Sequence, residues 1–258
     1  MDLRRANASA SKLEWRERST STNDELAALV RSEPSSAWPE FSVLATDVQT
    51  AGRGRLGRVW TAPDGTMLAV SVLLRPTSAG IRSADALGWL PLLAGLAMSR
   101  ALRILGATTE LKWPNDVLIA GRKVCGILCE VVDDDAVIVG SGVNLTLSST
   151  DLPVPTATSL LLEGAAHDAD AVLAAYLSEL RSLYEAFGAA SGDAVVGGIK
   201  DAVSADCSTL GKSVRVELPG ADTLSGVARS LDDDGRLVVD VDGRLTAVAA
   251  GDVTHLRY

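Results

Sequence analysis

Two hydrophobic periods alternate along the chain: the 3.6-residue period of amphipathic helices, and short apolar runs cut by glycine, proline and aspartate, as in strands joined by turns. In TSTNDELAALVRS, Leu26, Leu29 and Val30 share one face behind a Ser/Thr/Asn cluster, which predicts a short helix capped by Thr22 or Asn23. FSVLATDVQ reads as a strand, and AGRGRLGRVW, residues 51–60, follows it. A turn at Pro63-Asp64-Gly65 then leads into a second apolar strand ending at Pro76, so the arginines lie near the mouth of a hairpin. Ala84 to Leu105 has helical spacing, with Pro91 inside it and Gly106 as its stop. From Thr108 to Leu147 short apolar runs alternate with turn signals at Pro114-Asn115-Asp116, Gly121 and Asp133-Asp134-Asp135, which predicts three antiparallel strands. Val172, Tyr176, Leu180, Leu183 and Phe187 mark an amphipathic helix over Asp168–Phe187, closed by Gly188.

The period changes again near Ser204 to Gly211. SVRVELP, TLSGVARSL, RLVVDVDG and LTAVAAGDVTHLRY then read as strands separated by Gly/Asp turns. The pattern predicts an α+β fold: a polar lead-in over residues 1–18, a main domain over 19–205 with a mixed or antiparallel sheet and packed helices, and a small β-barrel over 206–258.

Composition narrows the partners. The chain has 258 residues, 47% of them hydrophobic, enough for a sizeable core. Thirty-three acidic against 24 basic residues give a formal net charge of -9, which disfavours broad binding to nucleic acid but leaves room for a local anion site. The opening segment lacks an apolar signal-peptide core, and the longest apolar run, Gly88 to Met98, is interrupted by Pro91, so neither secretion nor a membrane span is expected. Cys125, Cys129 and Cys207 make an odd count without metal-ligand spacing, which points to reduced thiols and the cytoplasm.

Against that acidic background the arginine stretch stands out. Gly52, Gly54 and Gly57 satisfy G-x-G-x-x-G, but that dinucleotide fingerprint needs a following helix and an acid about twenty residues on. A turn and a strand follow here, and the region of Thr77 offers no acid. A nucleic-acid-coating Arg/Gly segment would be repeated, and this one is single. A solvated hairpin loop explains a lone arginine, yet three glycines lose more conformational entropy than such a loop requires. A lid that closes over a small anion accounts for both residue types, because arginine offers forked donors to phosphate or carboxylate.

A second cluster lies in KWPNDVLIAGRKVCGILCE. Lys112 and Lys123 are expected on neighbouring strands with Asp116 at the turn between them, where the aspartate could hold a magnesium ion or orient a lysine. Taken alone, these three residues are more often just exposed hairpin charges. Trp113 suits the core or a pocket wall; Trp60, flanking the arginine loop, suits the pocket better.

Taken together, SerThrAsn at 21–23, GlnThrAlaGlyArgGlyArg at 49–55, LysTrpProAsnAsp at 112–116, GlyArgLysValCysGlyIleLeu at 121–128 and GlySerGlyValAsnLeu at 140–145 resemble the biotin protein ligases, from about Ser19 to the end of the chain. The resemblance implies a class II synthetase-like ligase core with an SH3-like C-terminal barrel. It implies ATP, biotin and Mg2+, formation of biotinyl-5′-AMP, and transfer of biotin to a lysine of a biotin carboxyl carrier domain of acyl-CoA or pyruvate carboxylases.

Carried over by motif position, Ser21, Thr22 and Gln49 would bind the ureido ring, with Asn23 supporting that wall. Arg53, Gly54 and Arg55 would order over biotin and the adenylate phosphate, and Lys112 would meet the ATP phosphates. Lys123 would bridge the biotin carboxylate and α-phosphate, with Gly126 letting the backbone approach. Trp60 resembles the adenine-stacking aromatic and Asn144 a nucleotide-side asparagine, while Asp116 would orient an ion or the acceptor lysine. Arg58 is left as a solvated charge, and Cys125 as inert packing or a pocket thiol.

About twenty residues precede Ser21, too few for the DNA-reading domain of some relatives, so ligation without repression or DNA binding is expected, in a monomer or weak homodimer. A lipoate or octanoate ligase is the related alternative, and needs a long apolar acyl tunnel. A non-catalytic biotin sensor would not need Lys112, Lys123, Arg53 and Arg55 together.

Overall fold

The computed structural model describes residues 1–218, 222–249 and 251–256. The polar lead-in is folded: Arg4–Ser9 form helix α1, and Lys12–Trp15 form β1, an edge strand parallel to β2 (Ser42–Thr46). All four residues of β1 are half-buried, so it lacks the in-out alternation that would reveal a strand. Helix α2 (Thr22–Ser32) is capped by Ser21, whose hydroxyl accepts from the Asp24 amide at 3.4 Å, rather than by Thr22 or Asn23. Both expected caps are engaged elsewhere, Thr22 with Gln49 and Ser71, Asn23 with Ser71 and Glu130.

The arginine stretch forms a small hairpin of β3 (Gly52–Arg53) and β4 (Val59–Trp60), with one 3-10 turn, Arg55–Gly57, at its tip. It leads to β5 (Met67–Leu74), which is buried at all eight positions. Such a continuous apolar run belongs to a central strand covered on both faces. The next helix, α3 (Leu90–Ile104), starts at Leu90 and not at Ala84, because Pro91 lacks an N–H and fits only its first turn; Asp85–Trp89 form a 3-10 turn before it.

Four strands follow instead of the expected three: β6 (Thr109–Lys112), β7 (Asp116–Ile119), β8 (Arg122–Asp133) and β9 (Ala136–Asn144). The short β7 lies between two of the expected turns, at Pro114-Asn115 and at Ala120-Gly121 (φ 49° and 74°); with only four residues it merges into its neighbours in the pattern, and Asp116 begins it instead of lying in the turn. Helix α4 (Ala169–Ala189) is capped by Asp168 and runs through Gly188. That glycine serves contact rather than termination, since a Cβ there would lie 2.5 Å from the Ala79 carbonyl oxygen. Helix α5 (Ile199–Asp206) leads to the C-terminal unit.

The main sheet has the order β1-β2-β5-β9-β8-β7-β6 and is antiparallel except at β1–β2. Its core face is covered by α3 and α4, through Leu93, Leu96, Leu173, Tyr176 and Leu180 among others. On the opposite face α2 covers a smaller cluster of Leu26, Trp38, Leu44, Leu73 and Ile138. The rest of that face, over β8 and β9, is available for a site.

The C-terminal unit, expected as four strands in an SH3-like barrel, is a five-stranded antiparallel sheet of β10 (Ser213–Glu217), β11 (Thr223–Leu231), β12 (Leu237–Val241), β13 (Arg244–Val248) and β14 (Asp252–His255). Its order is β13-β12-β11-β10-β14. The fifth strand arises because the last expected segment divides between β13 and β14. Pro219, Ala250, Arg257 and Tyr258, also assigned to strands by the pattern, lie outside the described residues.

Two buried indoles join this unit to the main domain. Trp89 Nε1 donates to the Asp233 carbonyl at 2.8 Å, and Trp113 Nε1 to the Gly235 carbonyl at 3.0 Å. Trp113 is therefore a core residue, 2% exposed. Among the described residues no helix is long and apolar enough to cross a membrane. Trp113→Phe removes the indole N–H that the Gly235 carbonyl accepts from and leaves part of the indole's buried space unfilled, and is expected to lower the unfolding free energy by about 1–3 kcal/mol or more in a denaturant titration followed by circular dichroism.

Candidate active site

Where β8 crosses β9, residues facing the open side of the sheet have almost no side chain. Gly126 pairs with Gly142 in register, and Gly140 lies two positions further along β9. The vacated space is filled from above. A Cβ on Gly142 would come within 2.6–2.9 Å of the Trp60 indole, and one on Gly126 within 2.8 Å of Lys123 Nζ. Glycine is required at both because another group lies directly on the backbone.

A β-bulge aims Lys123 at the open face. Val117 pairs with Cys125 and Leu118 with Lys123, so Val124 is the extra residue on β8. Strict alternation from Gly126 would place Val124 on the open face and Lys123 among the helices; the bulge reverses this. Val124, Cys125 and Ile127 consequently lie in the core, while Lys123 and Gly126 line the cavity. The Lys123 backbone is held by the segment after β9, donating to the Thr156 carbonyl at 2.7 Å and accepting from the Thr158 amide at 2.9 Å. Asn144 Nδ2 donates to the Thr158 carbonyl at 2.8 Å, fixing the same segment from β9. Cys125 is completely buried, and that burial pushes its thiol up, so it backs the floor and is not a pocket nucleophile.

A cavity of about 930 Å3 opens over this floor. Every candidate residue named from the sequence lines it: Ser21, Thr22, Asn23 and Gln49 from α2 and the loop after β2, Arg53, Gly54, Arg55 and Trp60 from the lid, and Lys112, Asp116, Lys123, Gly126 and Asn144 from the sheet. Lys112 and Lys123 are not on neighbouring strands, since β7 lies between them and carries Asp116 at its start. Asp116 Oδ1 lies 2.6 Å from Lys123 Nζ, an ion pair whose alignment leaves that oxygen without a hydrogen-bond donor. Trp60 Nε1 is buried and also lacks a hydrogen-bond partner.

At the other end Gln49 Oε1 accepts from the Thr22 amide at 3.0 Å, and Ser71 Oγ lies 2.8 Å from Thr22 Oγ1 and 2.6 Å from Asn23 Oδ1. These bonds fix a polar wall in one orientation.

The lid is tied down along its length. Arg53 pairs with Asp24 and Glu130. Arg55 donates from Nη1 to Asn115 Oδ1 at 3.1 Å and to the Gly251 carbonyl at 3.2 Å; burial pushes its guanidinium below its ordinary value, opposed by Asp116 and Asp252. Arg58, expected as a solvated charge, is ion-paired with Asp252 of β14. Pairing with the other domain has no local sequence signal. The same applies to Lys212, Asp252 and His255, all C-terminal residues that line the cavity. Asn115, which donates to the Ile127 carbonyl at 2.7 Å while receiving Arg55, was legible only as part of a turn.

Asp252 supplies a pH test. Burial opposes its ionisation, but the Arg58 hydrogen bond and the charges of Arg58, Lys112 and Arg55 outweigh burial and hold it below the ordinary 3.8. The ionised carboxylate therefore stabilises the native state above that value, and the contribution is lost as the pH falls through the lower folded value. Wild type and Asp252→Asn are expected to differ in denaturant midpoint at neutral pH and to converge once the pH falls below the lowered folded value of Asp252.

Residues 15–144 match the biotin/lipoate A/B protein ligase family, and residues 209–256 match the biotin protein ligase C terminal domain. The biotin--[acetyl-CoA-carboxylase] ligase of Mycobacterium tuberculosis is 41% identical over 220 residues, 83% of this chain and 79% of that one. The biotin protein ligase of Aquifex aeolicus in complex with biotin and ATP superposes with a TM-score of 0.77 at 27% identity, covering 96% of this chain and 100% of that one. That of Leishmania major in complex with biotinyl-5-AMP gives 0.61 at 25% identity, covering 93% and 99%. The glycine floor, the lysine aimed by a bulge and the arginine lid thus accompany a match through both domains: the chain belongs to the biotin/lipoate A/B protein ligase family, and within it to the biotin protein ligases.

Proposed function

We infer that the chain joins biotin to protein in two steps at this one cavity. A biotin carboxylate oxygen attacks the α-phosphorus of ATP, forming biotinyl-5′-AMP and expelling pyrophosphate. A lysine amine of a biotin carboxyl carrier domain then attacks the acyl carbon, loses its proton and releases AMP. The observation that carries this reading is the single cavity that joins a fixed polar wall to a cationic floor beneath one lid.

The roles follow from what each residue can reach. Thr22 and Gln49, with Ser21 beside them, would hold the ureido ring, and Asn23 keeps that wall in place through Ser71 and Glu130. Lys123 would place its ammonium between carboxylate and α-phosphate, where negative charge grows in the transition state. Lys112, which among the described residues has no ion-pair partner, would meet the phosphate tail. Trp60, flat on Gly142, would stack the adenine, its unpartnered Nε1 free for a ligand acceptor; Asn144 sits on the same strand beyond it. Gly54 and Arg55 would close the roof, excluding water from the anhydride.

For magnesium the donor set is thin. Among the described residues there is no group of three His, Cys, Asp or Glu able to hold a metal, and Asp116 is already paired with Lys123. The ion would enter with ATP, held mainly by phosphate oxygens and water. Asp116 fits better as the residue that orients Lys123 and then receives the acceptor lysine. The three free thiols suit a cytoplasmic setting.

A lipoate or octanoate ligase would need an apolar tunnel where this cavity has Thr22, Asn23 and Gln49, backed by the buried Ser71. Pyrophosphate exchange into ATP decides between them: it is expected with biotin and absent with lipoate, and exchange with lipoate alone overturns the reading. Lys123→Ala is expected to slow biotinyl-5′-AMP formation by roughly 10²–10³-fold. Gly142→Ala drives the Trp60 ring off the floor and is expected to raise the ATP KM by about tenfold or more, read in the same exchange assay.

A further inference from the structure

Arg53, answered by two carboxylates, is a lid cation whose surroundings do not suit a phosphate ligand. Its Nε and Nη2 make a side-on fork to Asp24, at 3.1 Å to Oδ2 and 2.5 Å to Oδ1. Nη2 also donates to both oxygens of Glu130, at 2.8 and 2.9 Å. Two carboxylates face one guanidinium, so the group presents no surplus positive charge to the cavity. An added phosphate would meet two anions at contact distance, where like charges repel strongly.

The carboxylates connect the lid to the biotin wall. Glu130 Oε2 accepts from Asn23 Nδ2 at 2.7 Å while its two oxygens receive Arg53. Asn23 Oδ1 in turn accepts from Ser71 Oγ at 2.6 Å. A Cβ on Gly140 would lie 2.3 Å from that Oδ1, so Asn23 sits on bare backbone and has one available position. Asp24 is the next residue on α2, and its amide donates to the Ser21 cap. Arg53 itself lies on β3, whose other residue, Gly52, would collide with the Gln49 side chain if it carried a Cβ. The first strand of the lid is thus seated on Ser21–Asp24 and Gln49, the residues that face biotin in the proposed function.

We propose that Glu130 and Asp24 form a clasp on Arg53 that holds the first strand of the lid against the biotin wall, and that Glu130, fixing Asn23 and Arg53 at once, is a positioning residue for retention of biotin and its adenylate. Arg53 acts as the clasped group and not as a phosphate ligand. This rests on the ligase reading, from which it departs in the role of Arg53.

The test uses the full chain with Arg53→Ala, Glu130→Ala, the double variant and Glu130→Gln, which keeps the side-chain volume. Each single variant is expected to raise the biotin KM and the release rate of biotinyl-5′-AMP by about three- to tenfold, with the ATP KM within about twofold of wild type. The double variant is expected to be no worse than the worse single, because both remove the same contact. Without substrates, trypsin is expected to cut after Arg55 and Arg58 faster in every variant than in wild type, with global thermal unfolding unchanged. A rise in ATP KM for Arg53→Ala that Glu130→Ala does not reproduce would assign Arg53 to the phosphates and overturn the clasp. Unchanged trypsin cleavage in Glu130→Gln would also overturn it. Absence of biotin-driven exchange in the wild-type chain would overturn the ligase reading instead, leaving the substrate-free cleavage rates to decide the clasp by themselves.

Discussion

Everything at the site depends on bare backbone at the crossing of β8 and β9. A sheet normally covers both faces with side chains about every second residue, which would leave no space within van der Waals reach of the strands. Here Gly126 opposite Gly142 removes two neighbouring Cβ atoms. The indole of Trp60 and the ammonium of Lys123 then settle directly on the sheet. A planar group and a cation held this low define the depth at which a planar base and a phosphate can lie. Glycine in a strand interior weakens the strand by lost packing and added unfolded-state freedom. The buried length of β5 beside it and the covering helices α3 and α4 offset that cost.

Upon this floor the charges are arranged in pairs. Lys123 faces Asp116, Arg58 faces Asp252, and Arg53 faces Asp24 and Glu130. An acidic chain can therefore hold a cationic pocket without becoming a general polyanion binder, because part of the positive charge is already answered locally. The pairs also fix rotamers before a ligand arrives. Long flexible side chains would otherwise lose much of their interaction energy to ordering. Lys112 differs, having no ion-pair partner among the described residues, which suits a group kept for the ligand.

How much of this the sequence revealed follows the range of the interactions concerned. The strand before the arginine stretch, the turn and strand after it, and the amphipathic helix at Asp168–Phe187 are local patterns and were legible, as were the main-domain motif residues that line the cavity. The bulge at Val124 was not. It shifts the parity of a strand whose run VCGILC is apolar on both sides, so no alternation records the slip. β1 was hidden because it is half-buried throughout, and β7 because it has only four residues and begins at Asp116, which the pattern places in the turn. The roles of Glu130, Asp252 and Gly251 depend on contacts across more than seventy residues of chain, beyond any local pattern.

Those long contacts also explain why two domains are needed for one pocket. The lid begins on the main domain, where Arg53 meets α2 and β8, and ends against the C-terminal sheet, where Arg55 reaches the Gly251 carbonyl and Arg58 reaches Asp252. A short hairpin rich in glycine has little structure of its own, since two residue pairs form its entire ladder. Its closed shape must therefore be imposed from both ends. Moving the C-terminal sheet would release Arg55 and Arg58 together and remove part of the cavity wall, even though Thr22, Asn23 and Gln49 stayed in place. Trp89 and Trp113 prevent that movement by anchoring the turn at Asp233–Gly235 to the 3-10 turn before α3 and to the residue that follows β6, through buried hydrogen bonds. The C-terminal sheet is thus a wall of the site held in register by two indoles, and the lid closes between units that packing has already fixed.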